Sequence, residues 1–177
     1  MLTRARHFLR ANRGLAAVEF ALIAPVMIMM FFGVIELSSG VDCNARVSRV
    51  ASTVGDLVAQ ATTVSTADTT NAFNAANAIL YPYAAANARI VVSSLVDNGA
   101  GATKVAWSDA QNATPRTVAS TVTVPAGLVT SGSGGSVIYT EISYTFAPAV
   151  PYFLGASVTL TGSFYAKPRR SLTVKHS

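Results

Sequence analysis

Apolar residues fill nearly every position from Leu15 to Ile35, interrupted by Glu19, Pro25 and Gly33. At 1.5 Å per residue such a run makes a helix of roughly 30 Å, the thickness of a bilayer's hydrocarbon core. The pattern therefore predicts a membrane-spanning helix with a carboxylate near its start. An acid at mid-bilayer costs roughly 2.5–3.5 kcal/mol or more. Glu19 lies only four residues inside and relieves part of that cost by reaching toward the interface. Pro25 removes one backbone hydrogen bond and bends the helix, which membrane helices tolerate. Gly33 eases close approach of another helix. Glu36 marks the outer interface and is expected to reach water. From Asp42 to Ala61 the polarity rises but the helical rhythm persists: Val47, Val50, Val54, Leu57 and Val58 recur at three- and four-residue steps. One helix is expected from Leu15 to Ala61, half in lipid and half amphipathic, with a soluble domain covering its valine stripe.

Beyond Ala61 a Ser/Thr-rich connection leads to a second helix expected over Thr69 to Leu80, with Asp68 or Thr66 as its N-cap. Phe73, Ala76, Ala78, Ile79 and Leu80 form its apolar side, and Tyr81-Pro82-Tyr83 ends it. The alanine-rich stretch up to Asn87 fits either a helical extension or a loop. Strand patterns follow. Arg89 to Val96 and Lys104 to Ser108 flank Asp97-Asn98-Gly99-Ala100-Gly101, a hairpin signal. Thr117 to Val124, Val137 to Phe146 and Ser157 to Ala166 alternate apolar and polar residues, separated by the loop 131–135 and by an apolar, proline-bounded link at 148–155. That link is expected to pack on the sheet rather than lie on the membrane. Together these elements predict an α+β fold: an antiparallel sheet and a short second helix packed on the outer half of the long one.

Charge changes the picture through its distribution. The net charge is +5, yet Arg4, Arg6, Arg10 and Arg13 precede the apolar run, and Lys167, Arg169, Arg170 and Lys175 follow Ala166. Five basic and eight acidic residues lie between Leu15 and Ala166. The high pI is thus no argument for nucleic acid. The four leading arginines instead hold the N-terminus in the cytoplasm. The expected organisation is a basic leader at 1–14, a transmembrane helix at 15–37 and an extracytoplasmic domain at 38–177. Cys43 is the single cysteine, so no internal disulfide forms. A buried thiol is expected there, with an intermolecular disulfide as the other reading.

Gly14, four intervening residues, Glu19 and the aromatic Phe20 give the spacing of a prepilin-type signal. The string Arg-Gly-Leu-Ala-Ala-Val-Glu-Phe-Ala-Leu-Ile-Ala-Pro resembles the TadE-like pseudopilins of tight-adherence (Tad/Flp) pili. Phe20 stands where the major Flp pilins have tyrosine, which suits the minor group. Tyr144 to Pro148 and Ala166 to Arg170 resemble the ending of such proteins. The resemblance implies cleavage between Gly14 and Leu15 by a membrane-embedded aspartic prepilin peptidase. Glycine there lets the backbone approach the peptidase's carboxylates. The new Leu15 amine would be cationic. Glu19, one turn away, would neutralise it or a neighbour's, because an unpaired charge in a packed apolar bundle is costly. The implied role is a structural subunit of pilus assembly, adhesion or secretion. Its implied partners are the peptidase, other pilin subunits and the inner-membrane assembly platform. The alternative is an uncleaved inner-membrane anchor carrying an extracytoplasmic binding domain. A cleaved secretory signal fits less well, because its apolar region is short and free of acids. A lipoprotein signal fails because Asp42 directly precedes Cys43.

An enzyme needs a constellation, and the sequence offers none. His7 and His176 lie near the termini, Cys43 has no partner, and Gly132, Gly134 and Gly135 lack the lysine of a phosphate loop. Asp97 and Asp109 meeting across a hairpin around a cation is conceivable but has no ligand spacing behind it. Trp107 reads as a packed aromatic rather than a ligand platform. No catalytic residue, metal or cofactor is expected.

Overall fold

The computed structural model describes residues 13–99, 102–129, 132, 134–148 and 157–177. Helix α1, Arg13–Ala59, is one continuous element of 47 residues with Pro25 inside it, about 70 Å long at 1.5 Å per residue. It is long and apolar enough to cross a membrane, and none of its most apolar stretch is buried among the described residues. In its outer half Cys43, Val47, Val50 and Val54 are fully buried, with Ala51 and Val58 nearly so. The expected stripe is therefore the seam of the domain except at Leu57, which is 43 % exposed. Residue 37, the expected end of the transmembrane part, falls inside this unbroken helix.

After the two-residue strand β1 (Thr63–Val64), helix α2 runs over Thr66–Leu80. It begins earlier than the apolar pattern indicates, because Ser65 caps it. The Ser65 hydroxyl accepts from Asp68 N–H, and the Asp68 carboxylate accepts from Ser65 N–H at 2.9 Å. This reciprocal pair satisfies two helix-end donors, and the bond from the Ser65 backbone holds the Asp68 carboxyl below its usual range. Ala72, Phe73, Ala76 and Leu80 are buried and join the core that surrounds α1. The alanine-rich stretch after α2 becomes a single 3₁₀ turn, Ala85–Asn87.

The main sheet holds β2 (Ala88–Asp97), β3 (Thr103–Gln111), β4 (Thr121–Val122), β5 (Ser136–Phe146) and β6 (Val158–Ala166) in the order β4-β3-β2-β5-β6. Every neighbouring pair is antiparallel. Ile90 pairs with Ile142 and Val92 with Thr140, and these buried side chains meet the core around α1. Helix and sheet approach closely at two glycines. A Cβ on Gly55 would lie 3.1 Å from Phe164 and from Thr140. One on Gly162 would lie 3.2 Å from Ile142 and 3.3 Å from the Val47 carbonyl. The register shift at Ser94/Leu95 leaves Ala106 unpaired between Val105 and Trp107, which bulges β3. At this far end Leu95, Val105 and Val137 form a second small core with Val122, Val124 and Val129.

The structure departs from the sequence reading in three further places, and it bears out the buried thiol expected at Cys43. Only Thr121–Val122 of the expected strand at 117–124 pairs as β4; Ala119 takes φ +67, which removes it from strand geometry. The C-terminus is folded rather than a free tail. Strand β7 (Lys175–His176) pairs in parallel with β1, Val174 is buried, and Trp107 Nε1 donates to the Val174 carbonyl at 2.8 Å. Glu36 does not reach water: it is 4 % exposed. Its turn of α1 faces a cavity of about 380 Å³ that is also lined by Ser39, Tyr83, Tyr144 and Phe146. Cys43 is sealed from other chains, since it is fully buried and burial pushes its thiol pKa up. Most of the 148–155 link lies outside the described residues.

Candidate functional site

The residues singled out at the N-terminus lie at the start of α1. Arg4, Arg6 and Arg10 fall outside the described residues, and Arg13 is the first described residue of the helix. The Gly14–Leu15 peptide follows it in helical backbone. A Cβ on Gly14 would meet no described atom within 4 Å, so packing within the chain does not require glycine there. Leu15, Glu19 and Phe20 are all exposed. Glu19 stands four residues beyond Leu15, about 6 Å along the axis and on the same face of the helix. An amine created at Leu15 would therefore lie on the face that carries the carboxylate. Met27, Met30 and Phe31 are likewise exposed, and their burial has to come from outside the chain.

Just above the apolar half, a polar clamp ties α2 to α1. Arg46 Nε donates to Asp42 Oδ2 at 2.8 Å, and Nη1 donates to the carbonyls of Ile79 at 3.2 Å and Tyr81 at 2.6 Å. A cation at these last carbonyls complements the negative end of α2. The Tyr83 hydroxyl donates to the Ser39 carbonyl at 2.8 Å and lies 3.1 Å from Asp42 Oδ2. The Arg46 bond holds the Asp42 carboxyl below its usual range. Burial, aided by the bond to Asp42, pushes the Tyr83 hydroxyl up to about 12. Sequence reading missed this clamp. Its one legible signal was the Asp42/Arg46 spacing of four.

The remaining polar groups hold the domain together. Asp109 Oδ2 accepts from Thr69 Oγ1 at 2.6 Å and lies 3.0 Å from His176 Nε2, whose ring centroid is 5.3 Å from that of Trp107. Hydroxyl and imidazole converge on the carboxylate rather than on each other. The trio therefore lacks the hydroxyl-to-base bond of a nucleophilic triad and instead pins β7 to β3 and α2. Asp97 does not approach Asp109. Asp97 pairs in register with Thr103 and Asp109 with Val92. Asp97 is occupied by Gly99 N–H at 2.9 Å and Gly132 N–H at 2.5 Å. Among the described residues no three His, Cys, Asp or Glu side chains are grouped to hold a metal. On the outer face Glu141 pairs with Arg116 and accepts from the Tyr139 hydroxyl at 2.9 Å. Asp56 pairs with Arg169, whose backbone N–H donates to Ala59 O at 2.9 Å.

Residues 14–56 match the family model described as TadE-like protein. That stretch, which is nearly the whole of α1 and carries Gly14, Glu19 and Phe20, is similar to TadE-like proteins. No curated protein and no solved structure matches the chain. The match ends before the sheet, so the domain built on α1 is described by its own geometry alone.

Proposed function

We propose that this chain is a minor pilin or pseudopilin of the Tad type, a structural subunit in pilus assembly, adhesion or secretion. It is made as a single-pass inner-membrane precursor with its N-terminus in the cytoplasm and its α+β domain outside. The prepilin peptidase removes residues 1–14, and the mature chain begins at Leu15. Glu19 then neutralises a Leu15 amine, its own or a neighbour's, and sets the register between packed helices. Other pilin subunits and the assembly platform supply the surroundings that the inner half of α1 lacks in the monomer.

One observation carries this reading: the TadE-like match coincides with a helix whose apolar half is exposed in its own chain. Gly14 supports it, because nothing around that residue demands glycine.

Mass spectrometry of the mature N-terminus tests the proposal. In cells with an active prepilin peptidase the purified protein is expected to start at Leu15. Gly14→Val should retain the leader, and Glu19→Ala should be cleaved yet assemble poorly. Wild-type protein still beginning at Met1 in such cells would overturn the proposal in favour of an uncleaved anchor.

A further inference from the structure

The α+β domain has two ends along α1, and they differ in chemistry. Val158, at the start of β6, lies beside Leu37, Gly40 and Val41. The strand then climbs the helix, so that Gly162 meets Val47 and the ring of Phe164 meets Gly55. The end of β5 and the start of β6 therefore mark the end from which the apolar half of α1 emerges. Ser136, at the other end of β5, donates its N–H to the Leu172 carbonyl at 2.9 Å, which places Leu172 at the opposite end.

At the near end Leu37, Gly40, Val41, Phe146, Val158 and Leu160, with the polar Asn44 beside them, line a groove of about 410 Å³ that contains no charged side chain among the described residues. Leu37, Val41 and Val158 are 60 %, 64 % and 40 % exposed. Such a contiguous uncharged surface marks an interaction site. Its height identifies the occupant. If Leu15 to Ile35 fill the hydrocarbon core, Leu37 and Val41 stand about 3 and 9 Å above it, at 1.5 Å per residue. The headgroup layer on that side is about 5–8 Å deep. The groove thus lies at the level of the headgroups, with Val41 at their outer edge, and is continuous with the apolar surface of the span below.

We infer that this groove is a membrane-docking surface: the domain stands on the outer leaflet, with Leu37, Val41 and Val158 against lipid. The inference rests on the proposed spanning role of α1 and adds to it a fixed height and a fixed lower face for the domain. The nearest ion pair, Asp42 with Arg46, is internally neutralised and so does not oppose that placement.

The test is depth-dependent fluorescence quenching in the full-length chain reconstituted into phosphatidylcholine vesicles. Single labels go on Phe31→Cys in the span, Val158→Cys in the groove and Leu172→Cys at the far end. The parent, whose Cys43 is buried, serves as the labelling control, and Val41→Cys provides a second groove position should Val158→Cys fold poorly. Lipids with a doxyl group midway along the acyl chain should quench the label at 31, about 6 Å inside the core edge at 1.5 Å per residue. Lipids with the doxyl group near the headgroup should quench labels at 158 and 41. Neither should quench the label at 172. Quenching at 31 with none at 158 and 41 overturns the docking surface and leaves the span standing. Absence of quenching at 31 removes the span, and the docking surface with it. Labels at 158 and 41 that escape lipid quenching but become shielded as protein density rises would show a second copy in the groove, and would equally overturn the inference.

Discussion

The two halves of α1 share one unbroken backbone and live in opposite surroundings. From Leu15 to Ile35 the helix is apolar all round and exposed. From Cys43 to Ala59 it is apolar on one stripe, and that stripe is sealed beneath β5 and β6. A stripe needs one neighbour, which the chain itself supplies, whereas a helix apolar on every side needs an apolar medium on every side. The length of the helix is thus divided between a part the fold covers and a part that the described residues leave uncovered.

Matched valines test this contrast most severely. Val47→Asp would place an unpaired carboxylate in a fully buried site and should cost about 4 kcal/mol or more, most of the marginal stability of such a domain. In detergent its cooperative thermal melt should disappear. Val26→Asp, on the exposed half, should leave the melt within about 0.5 kcal/mol of the parent. The same change, at the middle of the apolar run, should weaken membrane insertion by about 3 kcal/mol, seen as release on alkaline extraction. If both variants unfold the domain, the two halves are not energetically separate.

The glycines sharpen the comparison at smaller cost. Gly162→Ala puts a methyl against Ile142 and the Val47 carbonyl. The backbone atom cannot turn aside, so helix and strand must separate, at about 1–3 kcal/mol. Gly14→Ala meets nothing and should leave the melt unchanged. Equal shifts in Tm for the two variants would count against this division of roles.

What the sequence disclosed follows the same divide. Periodicity alone indicated α1, its valine seam and the strands that became β2, β3, β5 and β6, because each carries enough alternating or helical positions to average out exceptions. The features it hid rest on one or two residues. Strand β7 is two residues long, and its partner β1 lies more than a hundred positions away, so no local pattern announces it. The sequence places Glu36 at the outer interface, where a charge is expected to reach water, and the cavity that its turn shares with Tyr83, Tyr144 and Phe146 brings together segments more than forty residues apart. At the processing motif, Gly14 and Glu19 were legible as a spacing, but their meaning depends on molecules outside the chain.

Ser65 gives a smaller effect. It was read as part of a linker because the apolar pattern of α2 starts later, yet it anchors the capping box with Asp68. Ser65→Ala should cost about 1 kcal/mol, measurable by denaturant titration, without altering the membrane behaviour of the chain. A cost near zero would mean that tertiary contacts, rather than the cap, set the start of α2.

The smallest expected effect lies at the clamp where the two halves of α1 join. The Tyr83 hydroxyl is held neutral in the folded state up to about 12, against 10.0 when free. Because the folded value is the higher one, its contribution is present in full below pH 10 and is lost as pH rises from 10 to about 12. Asp42 runs the other way. Its folded value is depressed below 3.8, so its contribution is complete above that pH and fades as pH falls through the lowered value. Exposed ion pairs such as Asp42 with Arg46 are worth little, and the acid limb of stability should accordingly be shallow. In Tyr83→Phe the alkaline fall in Tm between pH 10 and 12 should be smaller than in the parent. It should not vanish, since burial also raises the hydroxyls of Tyr139 and Tyr144. An alkaline limb unchanged by Tyr83→Phe would show that the tyrosine does not couple α2 to the junction, leaving Arg46 and its carbonyl partners to hold the outer half in place.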